Sequence, residues 1–223
     1  MKQSDRPGTK ETSKMEAAAI KTISVNESQT GDKPSDIELV RRCQSGSEAA
    51  FQMLYERHFD SVFRLGRRLA GFDVDAEDLA QEVFCVVHRK VGEFRGDAQF
   101  TTWLYRITAF TAAKFRRKRK AQKVLMLDFG RETVALGAPE ETPERELRRK
   151  QAEQTVHKVL EKLSEKKRVV LVMFELEQMS GEEISTILQV PIDTVWTRLF
   201  HARRDFARQL KQFQTIEDAR GAQ

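Results

Sequence analysis

The chain has 223 residues, of which 33% are charged and 39% are hydrophobic. This length supports one or two ordinary domains, and the net charge of +5 is by itself too small to indicate a nucleic-acid partner. No apolar run reaches the roughly 20 residues of a membrane-spanning helix, and no signal-peptide pattern is present, so we expect neither membrane insertion nor export. Cys43 and Cys85 lie far apart without nearby metal ligands, which argues against a disulfide framework or a zinc site and favours the cytoplasm.

Composition divides the chain into five segments. Residues 1–35 are polar with little periodicity and are predicted to be a disordered tail. Two mildly basic blocks, 36–119 and 148–213, are separated by an acidic stretch, 120–147, which we interpret as a flexible linker. The last residues, 214–223, are predicted to be a C-terminal tail.

The first block has a helical pattern. Apolar residues recur at spacings of three and four from Phe51 to Leu69, which predicts one amphipathic helix that Gly71 can end. Asp73 or Asp75 can cap the next helix. Because no segment shows sustained strand alternation, the block is predicted to be a helical bundle.

A further helix in this block starts near Phe100 and enters a basic run that contains no acidic residue. Tyr105 and Phe110 lie off its apolar stripe, and aromatic rings among basic side chains suit single-stranded nucleic acid, because bases stack on rings while cations track phosphates. Phe84, Phe100 and Trp103 lie on the stripe, which favours core packing for them. The basic run consists of Lys114, Arg116, Arg117, Lys118, Arg119, Lys120 and Lys123.

The second block is also helical and ends in a candidate helix-turn-helix. Thr142-Pro143 can start a helix. Residues 180–183, Ser-Gly-Glu-Glu, form a capping box before a short helix that Val190-Pro191 ends, and Asp193 or Thr194 starts the last, basic helix. The second helix of such a motif enters the major groove. A plain helical hairpin with a basic face is the alternative, but the capping box, the breaker and the asymmetric charge together favour DNA binding.

These segments resemble the extracytoplasmic-function group of bacterial sigma factors. The chain resembles their region 2 at Asp36-Ile-Glu-Leu-Val-Arg-Arg, at Gly46-Ser-Glu-Ala-Ala-Phe51 and from Asp75 through Phe84, and the match continues from Phe94 to Ile107. It resembles their region 4 at Leu163-Ser-Glu-Lys-Lys-Arg168, at Glu182-Glu-Ile184 and from Thr194 to Arg203. The two segments occur in the family's order and cover most of the chain.

The resemblance implies an all-α protein of two small helical domains, region 2 at 36–119 and region 4 at 148–213, joined by a flexible linker. It implies a non-catalytic specificity subunit, without cofactor or metal, that binds core RNA polymerase at the clamp coiled coil and the flap. Region 4 would read the −35 element as duplex DNA, and region 2 would melt the −10 element and hold an unpaired base. An anti-sigma factor, a stress or envelope response and a cytoplasmic location are further expectations from the family.

The resemblance also assigns site residues. The clamp-binding set, on a predicted acidic helix, is Asp75, Asp78, Gln81 and Glu82. The −10 set is Phe94, Arg95, Asp97, Tyr105, Arg106, Phe110, Lys114 and Arg117. The −35 set is Thr194, Trp196, Thr197, Arg198, His201, Arg203 and Arg204; of these, Arg198 can pair with guanine or phosphate, and the later arginines suit phosphates.

Five residues depart from the family pattern. Phe110 and Lys114 stand where the family often has Asn and Asp. Trp196 stands where it usually has arginine or a similar polar residue, and His201 where it often has arginine. Gln189 replaces the glycine common at the end of the first motif helix, where a left-handed conformation would cost Gln about 1 kcal/mol.

Two other functions fit the sequence less well. An independent transcription regulator would need a ligand-binding or dimerisation domain, which residues 36–120 do not resemble. A nuclease or other enzyme would need a carboxylate and histidine cluster, a phosphate-binding glycine loop or a Ser/His/Asp set, and none emerges.

Overall fold

The computed structural model describes residues 34–71, 74–125 and 143–221. Within these ranges the backbone forms eight α-helices and no strand, which confirms the all-α prediction. The predicted tail at 1–35 falls almost wholly outside the described residues, and so does the centre of the predicted linker. The helices are α1 (Asp36–Gln44), α2 (Glu48–Ala70), α3 (Ala76–Lys90), α4 (Phe100–Leu125), α5 (Pro143–Lys162), α6 (Glu165–Leu171), α7 (Gly181–Leu188) and α8 (Ile192–Gly221).

Helices α1 to α4 form the first half, and local capping sets their limits. The Ser47 side chain accepts a hydrogen bond from the Ala50 amide at the start of α2, and the helix ends where Gly71 takes a positive φ of 95°. Asp75 caps α3 by accepting from the amides of Glu77 and Asp78 at 2.9 and 3.1 Å. The predicted stop at Gly71 and the predicted cap at Asp75 are therefore confirmed, whereas Asp73 lies outside the described residues.

Helix α4 is longer than the sequence pattern indicated. It continues without interruption to Leu125, and α5 begins at Pro143, so helical backbone enters both ends of the segment 120–147. Residues 100–125 contain neither glycine nor proline, which removes the usual local reasons for a helix to end.

Helices α5 to α8 form the second half, which contains an unpredicted feature after α6. The end of α6 runs directly into one π-helical turn, Val172–Leu176, in which the Glu177 amide donates to the Val172 carbonyl at 3.0 Å. Hydrophobic periodicity cannot distinguish this wider turn from an α-helical one, because five residues contain too little pattern. Buried apolar side chains of both halves belong to one continuous core.

The helix-turn-helix follows the π turn. The predicted capping box is confirmed: Ser180 Oγ accepts from the Glu183 amide at 3.2 Å, and Glu183 Oε2 accepts from the Ser180 amide at 2.8 Å. The predicted start of the last helix at Asp193 or Thr194 is wrong by one or two residues. Helix α8 starts at Ile192 because the Pro191 carbonyl already accepts from the Thr194 and Val195 amides. It then runs to Gly221, through most of the predicted tail at 214–223.

Gln189 ends α7 in the left-handed conformation, with a φ of 53°, as the comparison with the family's glycine suggested. We expect Gln189→Gly to raise the free energy of unfolding by about 0.5–1 kcal/mol, because glycine has no Cβ to clash at positive φ. Urea denaturation measures this gain. Gln189→Ala is the matched control, since alanine keeps the Cβ and should give no such gain; equal stability of the glycine variant and the parent would contradict the strain.

Candidate nucleic-acid interface

A cavity of about 200 Å³ lies where the loop after α3 meets the start of α4. The ring of Phe94 forms its floor, because Phe94 is only 8% exposed and packs against Phe100 and Trp103 with ring centroids 5.9 and 5.4 Å apart. Arg95 and Asp97 are exposed at the rim. The residues that border the cavity include Phe94, Arg95, Asp97, Trp103, Arg106 and Gln189.

One side chain from α1 fixes the shape of this loop. Gln44 Nε2 donates to the carbonyl oxygens of Val91 and Phe94, both at 2.9 Å, so a single amide holds the two ends of the 3₁₀ turn Val91–Glu93. No local sequence signal identifies Gln44, because its partners lie 47 and 50 residues further along the chain.

A mixed aromatic and basic face extends from the cavity along α4. Arg106, Phe110, Lys114 and Arg117 recur at helical spacing, so they share one side of the helix. Phe110 is 66% exposed, which leaves its ring open to a stacked base. Tyr105, the other predicted aromatic contact, is half-buried and packs against the core, so less of its ring is available.

The acidic residues of α3 form a separate face. Asp75, Asp78 and Gln81 are exposed, and Glu82 is half-buried. Glu82 Oε1 lies 3.8 Å from Arg89 and 3.7 Å from Lys114, so the acidic and basic surfaces touch at this one residue. Among the described residues no group of His, Cys, Asp or Glu is arranged to hold a metal ion.

The outer side of α8 forms the third surface. Val195, Leu199 and Ala202 are buried, which turns the opposite side of the helix outward. Thr197, Arg203 and Arg204 are exposed, and Thr194, Arg198 and His201 are partly so. The structure adds Phe200, which the −35 set does not include. Its side chain is 64% exposed. It borders a shallow hollow of about 480 Å³ together with Trp196, Leu199, Arg203 and Arg204.

Two members of the −35 set also have structural contacts. Trp196 packs edge-on against Phe174, with ring centroids 5.7 Å apart, and 43% of its surface remains exposed. Arg203 Nε donates to Glu175 Oε1 at 2.7 Å, and its guanidinium lies 5.3 Å from the centroid of the Phe174 ring. These two side chains therefore join α8 to the π turn as well as facing outward.

The indole of Trp196 on α8 packs closely against Gly181, the first residue of α7. A Cβ on Gly181 would lie 2.6 Å from Trp196 Cζ2, closer than real atoms approach. We expect Gly181→Ala to lower the free energy of unfolding by about 1–3 kcal/mol, because the indole must move out of a well-packed position. Thermal denaturation measures the loss. Gly92→Ala is the control, because nothing lies within 4 Å of its added Cβ, and similar losses for both variants would argue against a steric cause.

Asp205 is an acidic residue within the basic stretch of α8, and its partners are basic side chains. Asp205 accepts a hydrogen bond from Lys167 Nζ at 2.6 Å, which with the nearby arginines lowers the pKa of the Asp205 carboxyl below its ordinary value. Asp205 is thus paired with Lys167 from α6 and with Arg208 on α8 itself. At the cavity, burial lowers the pKa of the Arg106 guanidinium from its ordinary value.

Over the ranges that the structure describes, no helix combines the length and apolarity needed to cross a membrane.

Both halves of the chain match models of known protein families. The family model described as Sigma-70 region 2 matches residues 54–122, and the model described as Sigma-70, region 4 matches residues 153–206.

Curated relatives cover most of the chain. The RNA polymerase sigma-H factor of Pseudomonas aeruginosa is 36% identical over 174 residues, which span 75% of this chain and 90% of that protein. The ECF RNA polymerase sigma-E factor of Escherichia coli strain K12 is 34% identical over 174 residues, which span 76% of this chain and 91% of that protein.

Two solved structures share the fold. CnrH in complex with the cytosolic domain of CnrY has a TM-score of 0.57 and 24% identity, with 80% of this chain and 97% of that chain covered. The sigma factor RpoE in complex with the anti-sigma factor NepR from Bartonella quintana has a TM-score of 0.53 and 20% identity, with 72% and 96% covered. The family assignment rests on two observations: the two family models match in order along the chain, and the relatives are more than 30% identical over most of their length. The chain belongs to the extracytoplasmic-function sigma factors, the alternative sigma subunits with which bacterial RNA polymerase initiates transcription.

Proposed function

We propose that the three surfaces divide the work of initiation. The acidic face of α3 binds the clamp coiled coil of core polymerase, α8 binds the −35 element as duplex, and the cavity with the α4 face binds the −10 element as a single strand. The observation that carries this division is the position of Phe110, an exposed ring in a row of cations that leads from the cavity. Residues 36–119 and 148–213 are the proposed limits of the two working regions.

The −10 surface suits an unpaired base on energetic grounds. Extruding a base from a duplex costs a few kcal/mol, so a protein that melts DNA has to return that free energy through new contacts. Stacking on an aromatic ring contributes about 1–3 kcal/mol per base, and Phe110 offers such a ring. Lys114 and Arg117 on the same face would hold the phosphates of the strand. Arg95 and Asp97 at the cavity rim supply hydrogen-bonding groups for the edge of a base.

The −35 surface suits the major groove of duplex DNA. The first turns of α8 follow directly after α7, which is capped and packed into the core, and they carry exposed side chains. This is the geometry of a recognition helix. Arg198 would contact a base or phosphate, and Arg204 would contact phosphate. Trp196 and Phe200 add apolar surface, which fits the C5-methyl of thymine better than a hydrogen-bonding edge.

The partners follow from the same division. Core polymerase and promoter DNA are the primary partners, and the protein acts as a non-catalytic subunit in the cytoplasm. One of the solved structures with this fold, RpoE, was determined with an anti-sigma factor bound. An anti-sigma factor is therefore the proposed inhibitory partner here, and a stress or envelope response is the proposed setting.

Run-off transcription with purified core polymerase tests the proposal. The template is the promoter region upstream of the protein's own gene, together with a library of promoter fragments. We expect initiation that depends on this protein and weak binding of the free chain to the same duplex. Absence of core binding and of initiation on every template would overturn the proposal. Tight and specific duplex binding without core would instead favour an independent regulator.

A further inference from the structure

Helix α1 borders the loop that shapes the proposed −10 cavity at two points. Gln44 Nε2 donates to the carbonyl oxygens of Val91 and Phe94, both at 2.9 Å. Further along the loop, a Cβ on Gly96 would lie 3.6 Å from Ile37 Cδ1, so these two residues are neighbours. Ile37 and Gln44 are separated by two helical turns and share one side of α1. This side of the helix therefore follows the loop from its first turn to Gly96.

Helix α1 is itself fixed to α2, which makes it a firm support for the loop. Leu39 and Val40 are buried in the core. At the start of the helix, the Asp36 carboxylate accepts a hydrogen bond from Arg57 Nη1 at 2.6 Å and lies 2.8 Å from His58 Nε2. A hydrogen bond from α1 consequently holds the loop against the body of the helical bundle.

The bond from Gln44 to the Phe94 carbonyl is the more important of the two. The Val91 carbonyl also accepts from the Phe94 amide at 3.2 Å, so its turn keeps one bond without Gln44. The Phe94 carbonyl and the Arg95 amide belong to one planar peptide group. Holding the carbonyl oxygen at Gln44 therefore sets the direction in which the backbone continues to Arg95, which borders the cavity.

The composition of the loop gives it many accessible conformations. Between α3 and α4 only Val91–Glu93 form a helical turn, and residues 94–99 have no regular secondary structure. Gly92 and Gly96 both lie in this stretch, and Gly96 has a positive φ of 82°. Because glycine permits many backbone conformations, such a loop populates several arrangements unless contacts from outside select one.

We propose that Gln44 is a positioning residue for the capture of the unpaired −10 base. It holds the loop from α1 and thereby keeps Phe94, Arg95 and Asp97 in the arrangement that receives the base. Helix α1 lies before residues 54–122, the segment that matches Sigma-70 region 2, so the support of the loop comes from outside that segment. The inference rests on the proposed −10 site and adds a residue that acts on it through the backbone.

The proposal predicts a loss of affinity that depends on the captured base. Suppose that capture strengthens promoter binding about tenfold in the parent protein, and that about one tenth of the molecules keep the right loop without Gln44. Capture would then strengthen binding only about twofold in the variant, and its affinity would be about fivefold lower. DNA that lacks the base should show no such difference, because it offers the cavity nothing to capture.

The test uses the holoenzyme, assembled from core polymerase and the full chain. The probe is a fluorescein-labelled fork from a promoter that is active in the run-off assay, duplex across the −35 element and single-stranded over the −10 element. Fluorescence anisotropy gives its dissociation constant. A series of probes with one abasic residue at each −10 position in turn shows which base the parent protein captures.

Gln44→Met is the informative variant, because methionine has a similar length but cannot donate to the two carbonyls. We expect it to bind the intact probe about fivefold more weakly than the parent does. Removal of the captured base should then cost the variant only about twofold, compared with about tenfold for the parent. Binding to core polymerase should stay within about twofold of the parent, since the clamp-binding set is untouched.

Gln52→Met is the matched control, because it makes the same replacement at an exposed position of α2. Gln52 Nε2 donates to Glu56 Oε1 at 2.7 Å on the same helix, so its loss leaves the loop unchanged. We expect this variant to bind the intact and abasic probes as the parent does. A fivefold loss in Gln52→Met as well would contradict a specific role for Gln44.

Each outcome decides the proposal. An unchanged dissociation constant for Gln44→Met would overturn it, and so would equal weakening on intact and abasic probes, because that pattern indicates a general loss of structure. A parent holoenzyme that loses no affinity at any abasic position would also overturn it, since no base would then be captured.

If circular dichroism shows that Gln44→Met does not fold, Gln44→Ala takes its place with the same expectations. Normal run-off activity of the parent together with unchanged binding of the Gln44 variant would reject this inference alone. Failure of run-off in the parent itself would reject the proposed function.

Discussion

Replacing Asp78 and Glu82 together by lysine should weaken binding to core polymerase by roughly 100-fold, because removing charges at a charged interface typically costs 2–5 kcal/mol. Both residues lie on one face of α3. Asp75 is left in place because its carboxylate caps α3 through the Glu77 and Asp78 amides, so its loss would weaken the helix as well as the interface. Fluorescence titration of labelled core polymerase measures the affinity.

The complementary variant is Arg198→Ala. It should keep core binding within about twofold and weaken binding to a −35 duplex, because a base or phosphate contact by arginine is worth about 1–3 kcal/mol. Glu56→Lys is the control for a general change of charge, since Glu56 is exposed and lies on α2, outside the clamp-binding set. If the α3 double variant and Arg198→Ala each lost core and duplex binding equally, the proposed division between the surfaces would be wrong.

Signals that act within a few residues made most of the fold predictable. The cap at Asp75, the stop at Gly71 and the capping box at Ser180 all depend on side chains that bond to backbone three or fewer residues away, or on backbone freedom at a single residue. The buried stripe of α8, with Val195, Leu199 and Ala202, follows from helical periodicity alone. Such features depend little on the rest of the chain, so a pattern in the sequence identifies them.

Contacts across long separations were not predictable in the same way. Gln44 holds a loop about 50 residues away, and Arg106 caps a helix about 80 residues away, with no local pattern that selects either partner. The charge of Arg203 indicated a surface for DNA, yet its guanidinium also bonds to Glu175 and covers Phe174. The sequence therefore predicted the sign of the charge on each surface. Only the packed structure shows which arginines bond to other parts of the protein and which can reach a ligand.

Arg106 and Arg68 show that arginine serves two purposes in this protein. Both donate to backbone carbonyls of the second half, and only Arg106 also faces a proposed DNA site. A guanidinium can do this because it offers five donors in a planar fork and is weakly hydrated compared with an ammonium group. The contact between the halves is consequently polar and reversible at these two points, which suits a protein whose halves have to act on separate DNA elements.

Arg168→Met should have the largest effect on stability, a loss of about 3 kcal/mol in the free energy of unfolding. Arg168 is 2% exposed, and its guanidinium donates to the carbonyls of Leu160 at 2.7 Å, Leu163 at 3.2 Å and Leu69 at 3.5 Å. Methionine fills similar space but removes the donors to the carbonyls of Leu163 and Leu69, whereas the Leu160 carbonyl still accepts from the Leu163 amide at 3.1 Å. Each buried acceptor that loses its donor costs about 1–3 kcal/mol. Urea denaturation measures the change, and Lys166→Met, at an exposed neighbouring position, should alter stability by less than about 0.5 kcal/mol.

Two opposing effects decide the sign of the Arg168 result. Removing a buried cation recovers its desolvation free energy, and replacement of buried charges by apolar residues has stabilised some proteins by about 1–4 kcal/mol. Those gains arise when both partners of a pair are replaced, whereas here the carbonyls at the ends of α5 and α2 stay in place. The partial negative charge at these helix ends also offsets part of the desolvation of the guanidinium. We therefore expect destabilisation, and an equally stable or more stable Arg168→Met variant would show that desolvation of the cation outweighs its three hydrogen bonds.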